Sequence, residues 1–254
     1  MFASVFQIFV LWSYAYAYSY AGTSPNPPAA QNEKDTFSTS VSLNFRERIM
    51  SKIGPLLKCC IWVESGAQIL WIVGDKFPPT SHRIYILLGP SQNTSVTYML
   101  GWAIIVTATL IRHQCYRALG PMFTFDLSIK KDHRLVQTGP YSLVRHPSYS
   151  AFILLNFGIM MTHCGLEGPY LLSAVSPNLK ITYNAFIVGI SAWTSYSFLG
   201  RAEIEDKALQ ERFGKEWNAW AHHVPKFVPN FWGSKRRQGK SDPLPKEFTQ
   251  EWSP

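Results

Sequence analysis

The chain contains few charged residues. Asp, Glu, Lys and Arg account for 16% of its 254 residues, whereas they usually make up about a quarter of a soluble domain. Hydrophobic residues account for 46%, and they are gathered into blocks that polar connectors separate. This composition argues against a pair of soluble domains and favours one polytopic membrane domain.

The sequence also lacks the common metal, phosphate and nucleophile motifs. Its four cysteines include no Cys-x-x-Cys pair, which argues against a disulfide framework and against a zinc site. It has no Walker loop, no Gly-x-Gly-x-x-Gly turn, no His-Glu-x-x-His pair and no Gly-x-Ser-x-Gly elbow. No metal site is therefore predicted.

The net charge of +8 comes from basic residues that lie in the connectors and the C-terminal tail. That distribution fits the surface of a lipid bilayer, which basic segments approach from the cytosolic side. No recognised nucleic-acid-binding motif accompanies the charge. We therefore expect a lipid bilayer and no nucleic acid among the partners.

Five apolar stretches are candidates for membrane helices, although some are shorter than the roughly 20 residues expected of a span. They are residues 2–21, 53–73, 95–111, 148–164 and 181–199. No Lys or Arg precedes Lys34, so the first stretch is predicted to be a retained span rather than a signal peptide. The predicted fold is an all-α, polytopic membrane bundle of about five spans.

The polar connectors give the predicted orientation of this bundle. Segments 22–52, 112–146 and 200–254 are basic, whereas segments 74–94 and 165–180 are not. Because basic connectors stay in the cytosol, the first three are predicted to be cytosolic and the other two lumenal. Lys58 and Glu64 fall inside the second stretch, where Lys58 is expected to reach the interface and Glu64 to face the bundle interior.

Composition also suggests how the chain is divided. We expect N-terminal spans and a polar connector over residues 1–94, a membrane core over 95–232, and a basic, disordered tail over 233–254. A cofactor site is predicted where the 112–149 connector meets the C-terminal helix. Both segments would lie on the cytosolic side.

Two polar clusters stand at the ends of apolar stretches. Residues 135–149 combine a Gly-Pro-Tyr turn with Arg-His-Pro-Ser-Tyr, and a second cluster contains Arg201, Glu203, Glu205 and Asp206. Arg201 and Glu205 are four residues apart, so they share one face of a helix. Charged groups at a membrane boundary are costly and usually functional, so we expect the two clusters to meet at one site.

The residue types in these clusters suit a zwitterionic cofactor that carries adenine. A carboxylate such as Glu205 can pair with an α-ammonium group, Arg or His with a carboxylate, and Tyr with a purine ring. S-adenosylmethionine has all three groups. The residues alone therefore favour S-adenosylmethionine over a nucleotide held by its phosphates.

The two blocks, in this order and at this distance from two apolar segments, resemble the isoprenylcysteine carboxyl methyltransferase family over about residues 95–232. The resemblance implies a multi-pass enzyme of the endoplasmic reticulum membrane whose active site faces the cytosol. It would use S-adenosylmethionine to methylate the C-terminal carboxylate of a prenylated cysteine, in CaaX-processed proteins or prenylcysteine substrates.

Carried onto this sequence, the resemblance also implies individual roles. Arg201 would face the substrate, with Arg145 in reserve. The implied cofactor contacts are His133, Arg134, Leu135, Val136, Tyr141, His146, Pro147, Ser148, Tyr149 and Glu205. Three positions depart from the family pattern. Ile204 interrupts the acidic run, and Trp217 stands where many members have Tyr. Asp126 falls near the position at which some members have a Gln-type cofactor contact.

Three alternatives remain open from the sequence. A phospholipid amine N-methyltransferase would share the membrane and the cofactor, but its nucleophile would need a base, a duty that only His146 or Glu205 could be asked to take. An NADPH-dependent, sterol-reductase-like enzyme would share an Arg-His-Pro block and a tail that Gly214 and Trp217 resemble. A membrane scaffold that has kept the motif without activity is the third.

Overall fold

A computed structural model describes residues 2–28, 41–74, 95–125, 134–164 and 177–230. Their regular structure is helical and includes no strand: α1 (Phe2–Ala21), α2 (Val41–Gly74), α3 (Val96–Leu119), α4 (Pro147–Cys164), α5 (Pro177–Phe213) and α6 (Lys215–His223), with short 3₁₀ turns at Gly120–Met122 and Gly139–Ser142. The predicted all-α class is confirmed.

Two of these helical stretches are long and apolar enough to cross a membrane. They are Lys52–Gly74 and Val96–Met122, with mean hydropathies of 1.5 and 1.3. They coincide with the second and third predicted spans. The total of about five spans and their orientation stay predictions.

Several helices extend past their predicted ends. Helix α2 begins at Val41, inside the expected connector, and α5 continues for 37 residues to Phe213. The third predicted stretch, 95–111, is shorter than the helix that contains it, because α3 continues to Leu119. Arg112 is only 2% exposed, and its guanidinium is satisfied inside the bundle.

Arg112 of α3 joins this helix to α1 and α4 through hydrogen bonds. Its Nε donates to the carbonyl of Ala21 at 2.8 Å, and its Nη1 donates to the carbonyl and the hydroxyl of Ser148 at 3.0 and 3.1 Å. The carbonyl of Ala21 stands at the C-terminus of α1, where a helix leaves acceptors without partners. A cation there satisfies such an acceptor and complements the helix dipole, which explains why a charge is tolerated inside this bundle.

Helices α3 and α4 make the closest packing in the bundle. A Cβ atom on Gly101 would lie 2.7 Å from the carbonyl oxygen of Gly158, and a Cβ on Gly158 would lie 2.7 Å from Cγ1 of Ile105. Small residues allow helix backbones to approach this closely in membranes. Helix α1 packs on α2 and α3, and α5 packs on α4, so α4 lies inside the bundle.

Gly214 turns the chain back towards the first polar cluster. Its φ of +51° is a conformation that only glycine adopts freely, and it separates α5 from α6. Trp220 of α6 packs with Cys115 and Tyr141 in a small apolar core. Helix α5 therefore ends at Phe213, and the segment that follows α6 returns to the start of α4.

Candidate functional site

The end of the first polar cluster is joined to the segment after α6 by hydrogen bonds. The amide of Arg145 donates to the carbonyl of Pro225 at 2.8 Å, and the amide of His146 donates to that of Lys226 at 3.0 Å. The hydroxyl of Ser150 donates to the carbonyl of Phe227 at 2.7 Å. The two clusters themselves meet through side chains, because Arg145 and His146 both contact Asp206. The prediction that the clusters meet is therefore confirmed.

His146 lies between two carboxylates of α5. Its Nε2 donates to Oδ1 of Asp206 at 2.8 Å, and its Nδ1 is 3.6 Å from Oε2 of Glu205. The imidazole stacks on the ring of Tyr149, with the planes 4° apart and the centroids 5.4 Å apart. The hydrogen bond to Asp206 and the stacking on Tyr149 therefore fix the orientation of the ring.

Asp206 is the electrostatic centre of this arrangement. Besides His146, it pairs with Nη2 of Arg145 at 3.2 Å and with Nζ of Lys226 at 3.6 Å, and its side chain is only 11% exposed. Burial by itself raises the pKa of the Asp206 carboxyl, but the hydrogen bond from His146 and the charges of His146 and Arg145 bring that pKa below its ordinary value. Asp206 is therefore ionised at neutral pH.

Arg201 and Glu205 lie on one face of α5, and Tyr149 bridges them. Nε of Arg201 donates to the Tyr149 hydroxyl at 2.9 Å, and that hydroxyl donates to Oε2 of Glu205 at 2.8 Å. The Glu205 side chain is 36% exposed, whereas the Asp206 side chain is largely covered. The shared face predicted from the four-residue spacing is confirmed, and Glu205 is the more accessible acceptor.

A cavity of about 710 Å³ opens at this cluster. At this end it is lined by Arg134, Leu135, Val136, Tyr141, Arg145, His146, Ser148, Tyr149, Arg201 and Glu205. Of the predicted site residues, Pro147 is absent from the wall, because it is buried as the first residue of α4, where proline fits well. His133 and Asp126 lie outside the described residues.

The chemistry of the wall fits S-adenosylmethionine. Glu205 offers a carboxylate to an ammonium group, and Leu135 and Val136 offer apolar surface to a purine. Burial raises the pKa of Tyr141 well above its ordinary value, so this residue stays a neutral ring. Cation, carboxylate and apolar surfaces therefore face one space.

The sequence did not indicate every residue that supports this site. Arg112 directly follows the third apolar stretch, 95–111, and Lys226 is one of many basic residues in the tail. Neither position shows a role in the sequence. Asp206 belongs to the second cluster, and its place beside Glu205 is the one signal in the sequence that points to it. For Arg112 and Lys226 no local pattern was available, because their partners come from distant parts of the chain.

Comparisons with known proteins show what the sequence is similar to. Residues 99–181 match the isoprenylcysteine carboxyl methyltransferase family. This match covers α3, α4 and the segment between them. No solved structure matches the chain.

Curated relatives extend the similarity along the chain. Protein-S-isoprenylcysteine O-methyltransferase B of Arabidopsis thaliana is 28% identical over 131 residues, which are 51% of this chain and 57% of that protein. A probable protein-S-isoprenylcysteine O-methyltransferase of Oryza sativa subsp. japonica is 26% identical over 163 residues, 63% of this chain and 75% of that protein. The Saccharomyces cerevisiae protein-S-isoprenylcysteine O-methyltransferase is 28% identical over 141 residues, 55% of this chain and 52% of that protein. The chain thus spans little more than half the length of two of these three relatives.

Proposed function

We propose that this chain, of which residues 99–181 match the isoprenylcysteine carboxyl methyltransferase family, is an S-adenosylmethionine-dependent enzyme. It would methylate the C-terminal carboxylate of prenylated cysteines. One observation carries the proposal: Arg201 and Glu205 face the same cavity and are joined through Tyr149. An acceptor for a cationic cofactor and a donor for an anionic substrate therefore lie side by side.

Several wall residues would bind the cofactor. Glu205 would accept the α-ammonium group, and Arg134 would attract the carboxylate. Leu135, Val136 and Tyr141 would pack on the adenine. Ser148 and Pro147 would fix the start of α4, which keeps His146 and Tyr149 in place. For His133, a cofactor contact is proposed from the resemblance alone.

Arg201 would orient the substrate carboxylate. Its planar fork of donors matches a carboxylate better than an ammonium group does, and its bond to Tyr149 fixes the direction of the side chain. Arg145 is engaged with protein acceptors, donating to the carbonyls of Ala221 and Val224 at 3.1 Å each and to Asp206. In this proposal Arg145 therefore positions the site, and it would contact substrate only if those bonds opened.

The reaction requires alignment rather than proton transfer. S-adenosylmethionine supplies a methyl group that is activated by its sulfonium. A terminal carboxylate has an ordinary pKa of about 3.5, so it is already ionised at neutral pH and needs no base. The chain's task is to hold the carboxylate in line with the methyl group and to exclude water.

The chemistry of the site argues against amine methylation. An amine nucleophile would need a base to remove its proton. Nε2 of His146 is held by Asp206, and Glu205 is assigned to the cofactor. Neither of the two residues that could serve as a base is therefore set apart from another role.

We also propose where the enzyme lies in the cell and how it is oriented. We place the enzyme in the endoplasmic reticulum membrane with several spans and with the site facing the cytosol. The basic connectors and the two apolar helices support this orientation. Its partners would be prenylated, CaaX-processed proteins and the lipid bilayer.

A radiolabelled-methyl assay on membranes tests the proposal. A farnesylated cysteine analogue and phosphatidylethanolamine would be offered together, and we expect label only in the cysteine analogue. The rate should stay flat between about pH 6 and pH 8, because the carboxylate is ionised throughout. Label in the phospholipid, or a rate that rises steeply with pH, would contradict the proposal.

Arg201 provides the residue-level test. Arg201→Lys keeps the charge and loses the fork, whereas Arg201→Ala loses both, so we expect a graded loss of carboxyl methylation with cofactor binding largely retained. Lys207→Ala is the matched control, because Lys207 is an exposed cation on the same helix. Loss of cofactor binding with normal docking of the prenylated substrate in Arg201→Ala would remove the role given to Arg201.

A further inference from the structure

The cavity continues far beyond the candidate site. One face of α5 lines it at intervals of three or four residues: Tyr183, Ile187, Ile190, Thr194, Phe198, Arg201 and Glu205. At a rise of about 1.5 Å per residue, Arg201 and Tyr183 are about 27 Å apart along this helix. The cavity is therefore a channel that extends away from the reacting end.

The middle of the channel is predominantly apolar. Its lining there includes Leu57, Ile61, Phe152, Ile159, Phe186, Ile187, Ile190 and Phe198, from α2, α4 and α5. Such a lining suits a hydrocarbon chain, because burial of apolar surface yields about 25 cal/mol per Å². Asn156 and Thr194 interrupt it, but they hydrogen-bond to each other at 2.9 Å.

The far end of the channel carries a cluster of polar side chains, which we call the polar floor, and Glu64, His163 and Tyr183 of this cluster line the cavity. It consists of Tyr14, Glu64, His163 and Tyr183, one residue each from α1, α2, α4 and α5. The Tyr14 hydroxyl is 2.6 Å from Nε2 of His163, and the Tyr183 hydroxyl is 2.8 Å from Nδ1. Tyr183 also donates to Oε2 of Glu64 at 3.2 Å, so the four side chains form one network.

The polar floor resists an apolar chain. His163 is 3% exposed and Tyr14 is 2% exposed, so neither can exchange its hydrogen bond for one to water. A hydrocarbon that pushed between these groups would leave buried donors and acceptors unpaired, at a cost of about 1–3 kcal/mol each. An apolar ligand should therefore end where the polar floor begins.

We propose that the polar floor limits the length of prenyl chain that the channel accepts. This inference rests on the proposed methylation of prenylated cysteine. An extended chain advances about 3.5 Å per three bonds, so a cysteine with a 15-carbon prenyl group spans about 18 Å and one with a 20-carbon group about 22 Å. A 25-carbon group would need about 27 Å, the whole distance between Arg201 and Tyr183, and would collide with the floor.

The test measures kcat/KM for 15-, 20- and 25-carbon prenylcysteine analogues with the full chain in membranes. We expect the first two to be methylated and the third to be at least about tenfold poorer. Tyr183→Ala should raise the ratio of the 25-carbon to the 15-carbon substrate about tenfold, because it removes part of the floor. Ile181→Ala is the matched control, since Ile181 is 67% exposed on the same helix, and it should leave the ratio unchanged.

A second variant narrows the channel and leaves the floor intact. Ile187 lies one turn of α5 above Tyr183, so Ile187→Trp should shorten the usable channel. The 20-carbon substrate should lose about tenfold relative to the 15-carbon one. This variant tests the length limit even if Tyr183→Ala does not fold.

The outcomes separate the two proposals. If the native chain methylates none of the prenylcysteines, the proposed function is rejected and the length limit with it. If it methylates the 25-carbon analogue as well as the 15-carbon one, only the length limit is rejected. Ratios that stay the same in both Tyr183→Ala and Ile187→Trp would also reject the length limit alone.

Discussion

The two ends of the cavity are built in different ways. At the candidate site, charged groups from two short stretches of sequence pair directly: Arg145 and His146 from one, Glu205 and Asp206 from the other. The polar floor takes one residue from each of four helices and joins them mainly through hydroxyl groups and an imidazole. The first end can be found in the sequence as a motif, whereas the second exists only after the helices have packed.

This difference predicts different responses to mutation. Charge pairs around one buried carboxylate are strongly coupled, because removal of the carboxylate leaves several cations without a partner. Neutral hydrogen bonds each contribute less, about 1 kcal/mol. The candidate site should therefore be the more sensitive end, for stability as well as for ligand binding.

The largest expected effect is that of Asp206→Asn. The change removes the charge that holds Arg145, His146 and Lys226. Breaking a buried pair in this way costs about 3 kcal/mol, and thermal unfolding in detergent would measure it. Glu203→Gln is the control on the same helix, because Glu203 is exposed and its substitution should change the unfolding temperature little.

A milder effect on stability but a clear one on ligand binding is expected for Glu205→Gln. The variant should weaken S-adenosylmethionine binding by about 2 kcal/mol, the range of a charge-assisted hydrogen bond. Titration of the cofactor against the purified protein measures this. Glu203→Gln should bind the cofactor normally, and equal losses in the two variants would show that Glu205 is not the ammonium acceptor.

At the polar floor, Tyr14→Phe should cost about 1 kcal/mol of stability, because His163 loses a hydrogen-bond partner. Cofactor affinity should not change, since Tyr14 lies at the other end of the cavity. Tyr16→Phe is the control, with Tyr16 52% exposed. A loss of cofactor affinity in Tyr14→Phe would show that the candidate site and the polar floor are energetically coupled and do not respond independently.

The smallest effect concerns pH. The folded-state pKa of Asp206 is lowered, so its contribution to stability is fully present above the ordinary aspartate pKa of about 3.9 and is lost as pH falls through the lowered value. The difference in unfolding temperature between the native chain and Asp206→Asn should therefore narrow below about pH 4. A difference that stays constant down to about pH 2 would show that the Asp206 charge contributes little.

Sequence reasoning identified the helical class and the main residues of the candidate site because both depend on local features of the chain. Hydrophobic blocks of this length form helices in an apolar medium, because the backbone must satisfy its own hydrogen bonds there. Arg201 and Glu205 could be placed on one face, since a four-residue spacing fixes that relation within any helix. The expectation that Glu64 faces the bundle interior is also confirmed, because it contacts Tyr183 and His163.

The sequence placed the helix ends less well, for an equally physical reason. Arg112 looked like the end of a span because a charge in lipid is costly. The structure instead gives its guanidinium the carbonyls of Ala21 and Ser148 as acceptors. Whether a charge ends a helix depends on partners from other helices, which no local pattern contains.

The sequence by itself determined the helices, the two polar blocks and the pairing of Arg201 with Glu205 on one face, because each depends on neighbours within a few residues. Only the tertiary structure decided that Asp206 would pair with Arg145, His146 and Lys226. It also decided that Tyr14, Glu64, His163 and Tyr183 would form one network. Those contacts join residues that are far apart in the chain. Their existence depends on how the helices pack, which the close approach of Gly101 and Gly158 and the turn at Gly214 allow.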